Sequence, residues 1–274
     1  MSAVLPGGAR ATVARRPAGR LKQSVCRWTY RTVPLADLCR RVKGMGFAGI
    51  DLLHLDEWQT ARDAGLTVSM GYPSRRDKFI QTGFNNPDNH ALLLGELESA
   101  LPAAGRAGVA NLIAMFGNRD PARDERAAVD ACVAGLSKIA PLAEESGVTL
   151  CVELLNSRID HAAYQGDRTG FGVEVVSRVG SSRVKLLYDI YHMQIMEGDV
   201  IATIRKYNKY ISHYHTGGVP GRNEIDETQE LNYPAIMKAI LETGFKGYVA
   251  QEFIPKREDK IASLKQGVQI CDVA

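Results

Sequence analysis

Residues 184–215, VKLLYDIYHMQIMEGDVIATIRKYNKYISHYH, contain the pattern that decides the fold. A short apolar run, VKLLYDI, is followed by a polar loop and by DVIATIRKY, which has apolar residues at helical spacing, and then by a second run, YISHYH. Strands that alternate with helices in this way indicate βαβ units and therefore a parallel sheet. The number of such units decides between an open sheet and a barrel.

The same alternation extends from residue 24 to the end of the chain. The predicted strands are residues 24–28, 47–53, 66–72, 111–116, 148–154, 184–190, 210–215 and 247–253. Eight strand–helix pairs in about 250 residues are typical of a barrel, whereas an open doubly wound sheet usually has fewer strands and a glycine-rich turn after the first. SVCRWTYRTV, at residues 24–33, has no such turn. The sequence therefore predicts an α/β protein with a single (β/α)₈ TIM barrel over residues 24–274.

The composition is typical of a soluble globular protein. Hydrophobic residues make up 45% of the chain and charged residues 24%, and no apolar run approaches the ~20 residues that span a bilayer. The net charge is +3, but residues 1–23 contain five basic residues and no acid. The remainder is near neutral, which gives no electrostatic basis for nucleic-acid binding. We expect residues 1–23 to be a disordered or processed basic leader and the protein to be cytoplasmic, although such a leader leaves targeting open.

The five cysteines are scattered along the chain and never form a C-x-x-C pair. This pattern argues against a disulfide framework and against a structural zinc site. We expect each cysteine to be a small buried residue in a reducing compartment.

Ligand-type side chains end the last four predicted strands. They are Glu153, Asp189, His215 and Glu252. The carboxyl ends of barrel strands meet at the catalytic mouth, so we expect these side chains to lie together. Three carboxylates in one mouth repel one another unless a cation balances them. Three carboxylates and one imidazole suit one divalent metal ion, Mg²⁺ or Mn²⁺, with Co²⁺ or Zn²⁺ as alternatives.

A single acid at a strand end is usually a helix cap or an ion-pair partner, but four ligands on consecutive strands favour a metal site. His213, one pleat below His215, is expected to donate a hydrogen bond to the site or to pack in the core. Trp28 is expected to pack in the core. The long insertion at residues 72–90, YPSRRDKFIQTGFNNPDNH, is expected to be an active-site loop.

Other polar residues of the mouth are candidate substrate contacts. Arg222 follows the seventh strand and has a guanidinium suited to a carboxylate or polyol oxygen. Gly217 and Gly218 are expected to let this loop approach the substrate. Asn156 follows Glu153 in its loop, and His54 ends the second strand.

Four segments carry a resemblance to a known family: ELLNSRIDH (153–161), YDIYHMQ (188–194), HYHTGG (213–218) with GRNE (221–224), and QEF (251–253). They resemble the hydroxypyruvate isomerase branch of the xylose isomerase-like TIM-barrel superfamily, and the similarity runs from about residue 24 to the end. The resemblance implies a divalent metal held by the four strand-end residues, with Glu153 and Glu252 as the catalytic acid–base pair. It also implies that His192 contacts a substrate oxygen. In hydroxypyruvate isomerases the third ligand is often Gln, whereas His215 matches the ketose epimerases.

We therefore expect a metal-dependent isomerase of carbohydrate metabolism. It would interconvert a small, unphosphorylated hydroxy-aldehyde and hydroxy-ketone through an enediolate, as hydroxypyruvate/tartronate semialdehyde isomerases do. A ketose 3-epimerase or a keto-sugar dehydratase or eliminase would use the same ligands and stays open. An endonuclease IV-like repair enzyme is a remote alternative, because its three-metal cluster needs more histidines than the six present. We expect a small hydroxy-carbonyl substrate and neither nucleic acid nor a membrane as partner, with homo-oligomerisation open.

Overall fold

The computed structural model describes residues 21–273, which form a nearly closed parallel barrel. The strands are β1 (Lys22–Val25), β2 (Gly49–Leu53), β3 (Thr67–Gly71), β4 (Asn111–Met115), β5 (Thr149–Leu154), β6 (Val184–Asp189), β7 (Ile211–Thr216) and β8 (Tyr248–Gln251). Their order in the sheet is β1-β8-β7-β6-β5-β4-β3-β2. The backbone N–H of Ala48 donates to the Gln23 carbonyl at 2.9 Å and so joins the segment before β2 to β1. The predicted barrel is confirmed.

Helices surround the barrel. They are α1 (Leu35–Gly44), α2 (Trp58–Asp63), α3 (His90–Ala107), α4 (Glu125–Ser146), α5 (Thr169–Val179), α6 (Ile190–Met196), α7 (Val200–Tyr207), α8 (Tyr233–Glu242) and α9 (Lys260–Ile270). α4 shows why they begin and end where they do. The Asp124 side chain accepts the Ala127 N–H at its start, and Gly147, with φ of 66°, ends it in the left-handed conformation that glycine adopts most easily.

The strand bounds differ from the predicted ones by up to three residues, and two differences from the prediction matter most. β1 begins at Lys22 and Leu21 is buried, so the last three residues of the predicted leader belong to the barrel, and the rest of that leader lies outside the described residues. The sixth strand is followed directly by α6 rather than by a loop. The reason is that the Asp189 carboxylate caps this helix by accepting the His192 backbone N–H at 3.2 Å.

The barrel wall is buried on both sides. Every residue of β2, β4 and β5 is buried, as in parallel strands covered by helices.

All five cysteines are free and buried, as predicted. Within residues 21–273, no helix has both the length and the apolar character that crossing a membrane requires.

Candidate active site

The four predicted ligands lie together where the last four strands end. One ligand atom from each of Glu153, Asp189, His215 and Glu252 lies within 4.8 Å of the other three, and each residue is at most 5% exposed. Ligand atoms around a small divalent ion at about 2.1 Å are about 3–4 Å apart. The observed cluster therefore needs only small side-chain shifts to hold such an ion, and its oxygen-rich donor set suits one.

His215 lies between the two glutamates. Its Nδ1 atom lies 2.7 Å from Glu252 Oε2 and 3.3 Å from Glu153 Oε1. This buried nitrogen has no hydrogen-bond partner within residues 21–273. A metal ion bound among the acids would satisfy this nitrogen by accepting its lone pair. The unsatisfied atom is therefore a further feature that fits a cation here.

Arg222 crosses the top of the cluster. Its Nη2 atom donates to Asp189 Oδ2 at 2.8 Å and to Glu252 Oε2. The guanidinium carbon lies 5.5 Å from the Trp28 ring and 5.2 Å from the Tyr191 ring, so two aromatic faces hold it. The arginine therefore joins two of the acids and is held in one orientation.

The glycines before Arg222 make room for the loop itself. A Cβ at Gly217 would lie 3.0 Å from Arg222 Cγ, and one at Gly218 would lie 2.3 Å from the Glu224 carbonyl oxygen. The two glycines thus allow close packing within the loop, and the expected approach to a substrate stays a prediction. This packing also places Arg222, whose φ is 58°.

Trp28 contacts both the core and the site. It lies in a short 3₁₀ turn after β1, and its indole Nε1 donates to Glu252 Oε1 at 2.7 Å. A Trp N–H needs a partner when it is buried, and the carboxylate provides one. Trp28 also packs against the hydrophobic core, as expected, and its bond to Glu252 is the contact that the sequence did not predict.

Burial and mutual contact shift the pKa values of the cluster. Burial raises the pKa of Asp189 to about 7, against the opposing charge of Arg222. Burial would also raise the pKa of Glu252, but Arg222 and His215 hold it well below its usual value. For His215, burial would lower the pKa, but Glu252 outweighs this effect and raises it well above the usual value. The cluster therefore holds protons that a bound cation would displace.

A cavity of about 640 Å³ opens above the cluster. Glu153, Glu252 and Arg222 form part of its lining. The predicted active-site loop contributes another part, namely Tyr72, Ser74, Arg75, Arg76, Asp77, Phe79 and Ile80. His54 also lines the cavity, as predicted, and its ring stacks on Tyr72 with the centroids 4.7 Å apart. A volume of this size suits a small ligand.

His192 and Asn156 lie behind the cavity wall. Both are fully buried, and neither is among the residues that line the cavity. Because α6 starts at Ile190, His192 is held in the first helical turn, where its Nε2 atom lies 3.5 Å from Asp189 Oδ2. His192 therefore contacts Asp189, and Asn156 contacts His192. Their contacts with a substrate oxygen stay a prediction.

The hydrogen bonds of Asn156 determine which nitrogen of His192 carries hydrogen. Asn156 Oδ1 accepts the backbone N–H groups of Ile159 and Asp160, each at 3.0 Å, which settles the orientation of the amide. Its Nδ2 then donates to His192 Nδ1 at 2.7 Å. His192 Nδ1 is thus an acceptor, so its hydrogen lies on Nε2, which faces Asp189.

Asp51 is a site residue that the sequence analysis missed. It lies on β2, fully buried, and its Oδ2 atom lies 2.6 Å from His213 Nε2 and 3.3 Å from His215 Nε2. His213 therefore lies below His215, as predicted. Burial would raise the pKa of Asp51, but the two histidines lower it to about 2. The sequence feature that could have indicated Asp51 is the single acid within the apolar run FAGIDLL, residues 47–53.

Comparison with known proteins identifies the family. The family model described as xylose isomerase-like TIM barrel matches residues 39–271. The chain belongs to this family. A Homo sapiens member named Putative hydroxypyruvate isomerase is 28% identical over 239 residues, which cover 81% of this chain and 86% of the relative. The 2-oxo-tetronate isomerase of Cupriavidus necator is 33% identical over 171 residues, which cover 62% of this chain and 65% of the relative.

A solved structure agrees on the fold. The structure titled AP endonuclease, family 2, from Brucella melitensis superimposes with a TM-score of 0.79 at 24% identity, covering 90% of this chain and 97% of that one. At this identity the likeness shows that the two chains share a barrel, and it carries no conclusion about activity.

Proposed function

We propose that this protein is an isomerase that interconverts a small hydroxy-aldehyde and hydroxy-ketone through an enediolate, as in the pair hydroxypyruvate and tartronate semialdehyde. The observation that carries the proposal is the buried cluster of three carboxylates and one imidazole beneath a cavity. The names of the human and Cupriavidus relatives support a keto-acid substrate.

We infer that Glu153, Asp189, His215 and Glu252 hold one divalent ion, Mg²⁺ or Mn²⁺ by the chemistry of the donors. Such an ion supplies the positive charge that stabilises an enediolate. The protein contributes the burial that keeps water away and the two carboxylates that reach the cavity.

Glu153 and Glu252 are the proposed acid–base pair. Isomerisation removes a proton next to a carbonyl and returns one to the neighbouring carbon, so a carboxylate must face both carbons. Both glutamates line the cavity. Trp28 and Arg222 each donate to one Glu252 oxygen, which keeps that side chain ionised and limits its rotation.

Arg222 and His54 are the proposed substrate contacts, since both line the cavity. A guanidinium presents paired donors that suit a carboxylate or two adjacent hydroxyl oxygens. His192 and Asn156 support the site indirectly, through Asp189.

A ketose 3-epimerase is the second candidate, and one feature favours it. Glu153 is the penultimate residue of β5 while Glu252 follows β8, so the two carboxylates reach the cavity from well-separated positions around the barrel. Epimerisation uses two proton carriers on opposite faces of one carbon, whereas isomerisation can use one.

Proton NMR of the Mg²⁺-loaded protein in D₂O with hydroxypyruvate tests the proposal. We expect conversion to tartronate semialdehyde with deuterium incorporated from solvent, lost in Glu252→Gln and retained in Glu242→Gln, a matched change on the exposed Arg205–Glu242 pair. Exchange at C3 of a free ketose without turnover of hydroxypyruvate would favour the epimerase. No exchange with any hydroxy-carbonyl compound, with metal bound, would refute the enediolate chemistry.

A further inference from the structure

Two buried histidines converge on one oxygen below the candidate metal centre. Asp51 Oδ2 lies 2.6 Å from His213 Nε2 and 3.3 Å from His215 Nε2, and all three residues are completely buried. An ionised carboxylate can only accept hydrogen bonds, so each of these nitrogens must carry a hydrogen. The other nitrogen of His215, Nδ1, faces Glu252 and Glu153.

The backbone directs the Asp51 side chain to this place. The backbone N–H of Leu52 donates to Asp51 Oδ1 at 3.1 Å. Leu52 has a φ of 56°, in the left-handed region that non-glycine residues rarely adopt. The pairing of β2 with β3 also shifts register on both sides of Asp51. Irregularities of this kind re-aim side chains beside functional sites.

We propose that Asp51 is a positioning residue for the metal ligand His215. It holds the hydrogen of His215 on Nε2 and so leaves the lone pair of Nδ1 as the ligand atom. Carboxylates that accept a hydrogen bond from a metal-binding imidazole orient the ring and raise its basicity. This inference rests on the proposed metal centre and adds a residue from β2, on the side of the barrel that supplies none of the four ligands.

A competing arrangement shares two of these residues. Cys26, Asp51 and His215 could themselves hold an ion, since one ligand atom from each lies within 4.8 Å of the others. The Cys26 sulfur lies 3.8 Å from His215 Nε2, so His215 would then bind metal through Nε2. In our proposal that nitrogen carries hydrogen and Cys26 is no ligand.

The substitution Asp51→Asn tests the role directly. The Leu52 N–H favours the amide oxygen at the Oδ1 position, which turns the NH₂ group towards His215 Nε2 and moves the imidazole hydrogen to Nδ1. We expect Mn²⁺ affinity, measured by calorimetry, to fall about 10–100-fold. Ser69→Ala is the matched control, because it removes another buried hydrogen bond to β2, the one to the Ile50 carbonyl at 3.0 Å, away from the cluster. Its Mn²⁺ affinity should stay unchanged.

The wild-type protein gives a second readout that does not depend on the variant folding. In the Zn²⁺-loaded protein labelled with ¹⁵N-histidine, we expect His215 to show a protonated Nε2 and a metal-shifted Nδ1. A metal-shifted Nε2, a second zinc ion that Cys26→Ala removes, or unchanged Mn²⁺ affinity in a folded Asp51→Asn protein would overturn the inference and leave the proposed function intact. A wild-type protein that binds no divalent ion would overturn both.

Discussion

The two halves of the barrel mouth are built differently. Strands β5–β8 bring three acids and His215 to one point, each at or just beyond the carboxyl end of its own strand. The half formed by β1–β4 contributes Trp28, His54 and the loop at residues 72–90, whose side chains line the cavity. In the proposed function, the first of these halves, β5–β8, carries the groups for metal binding and proton transfer, and the second, β1–β4, shapes much of the space for the substrate. Changes in the first half should therefore act on metal binding and turnover, and changes in the second on substrate affinity.

The largest effect should come from Asp189→Asn. This change keeps the size of the side chain but removes a charged ligand, so we expect metal content to fall below one ion per chain and kcat/KM to fall about 10³-fold. Elemental analysis and steady-state kinetics measure the two quantities. Asp199→Asn, at an exposed position before α7, is the control. Full activity in a metal-depleted Asp189→Asn protein would break the distinction between the halves.

The next largest effect should come from Asn156, whose side chain donates to His192 behind the cavity wall. Asn156→Asp keeps the size but cannot donate to His192 Nδ1, so we expect kcat to fall about 10–100-fold with little change in KM. Asn156→Ala should lower kcat in the same way. Asn208→Ala is the control, because it removes an exposed amide that donates to the Arg205 carbonyl, and it should leave kcat unchanged. A raised KM with normal kcat would instead place Asn156 among the substrate contacts.

Metal affinity should depend on pH through Asp189. Its pKa of about 7 in the metal-free protein means that a proton must leave before the carboxylate can bind an ion. Apparent Mn²⁺ affinity should therefore rise by at least about tenfold per pH unit below pH ~7. It should keep rising above pH ~7, because His215, whose pKa lies well above its usual value, must also lose a proton. Calorimetric titrations across this range measure the slope, and an affinity that is constant from about pH 5.5 to 7 would contradict the assignment.

The smallest effect should come from Arg31 in the second half. It lines the cavity and is exposed, and no hydrogen bond or ion pair holds it within residues 21–273. Arg31→Ala should raise KM for hydroxypyruvate by roughly threefold to tenfold and leave kcat unchanged, an effect that weakens at high salt. KM for a neutral ketose should not change. Arg205→Ala, on an exposed and remote ion pair, serves as control, and a fall in kcat with Arg31→Ala would contradict the division of roles.

The difference between the halves also decides what the sequence could predict. Asp189 and His215 end apolar runs, so strand ends alone indicate that they meet at the mouth. Asp51 lies inside such a run, and only the three-dimensional position of His213 and His215 shows its contacts. Trp28 meets Glu252 across 224 residues of chain, which no local pattern predicts.

A short helix explains why the place of His192 could not be predicted. α6 spans only Ile190–Met196, too few residues for a helical period to be recognised. His192 was therefore expected in a loop above the sixth strand. The Asp189 carboxylate accepts the His192 N–H, and this contact starts the helix and holds His192 behind the cavity wall. It is visible only in the fold.

Diffraction from crystals soaked in Mn²⁺, recorded where manganese scatters anomalously, tests the central claim most directly. We predict one anomalous peak, coordinated by oxygens of Glu153, Asp189 and Glu252 and by Nδ1 of His215, with Asp51 still bonded to Nε2 of that ring. A peak elsewhere, or no peak at this cluster in crystals that remain active with Mn²⁺, would contradict the account.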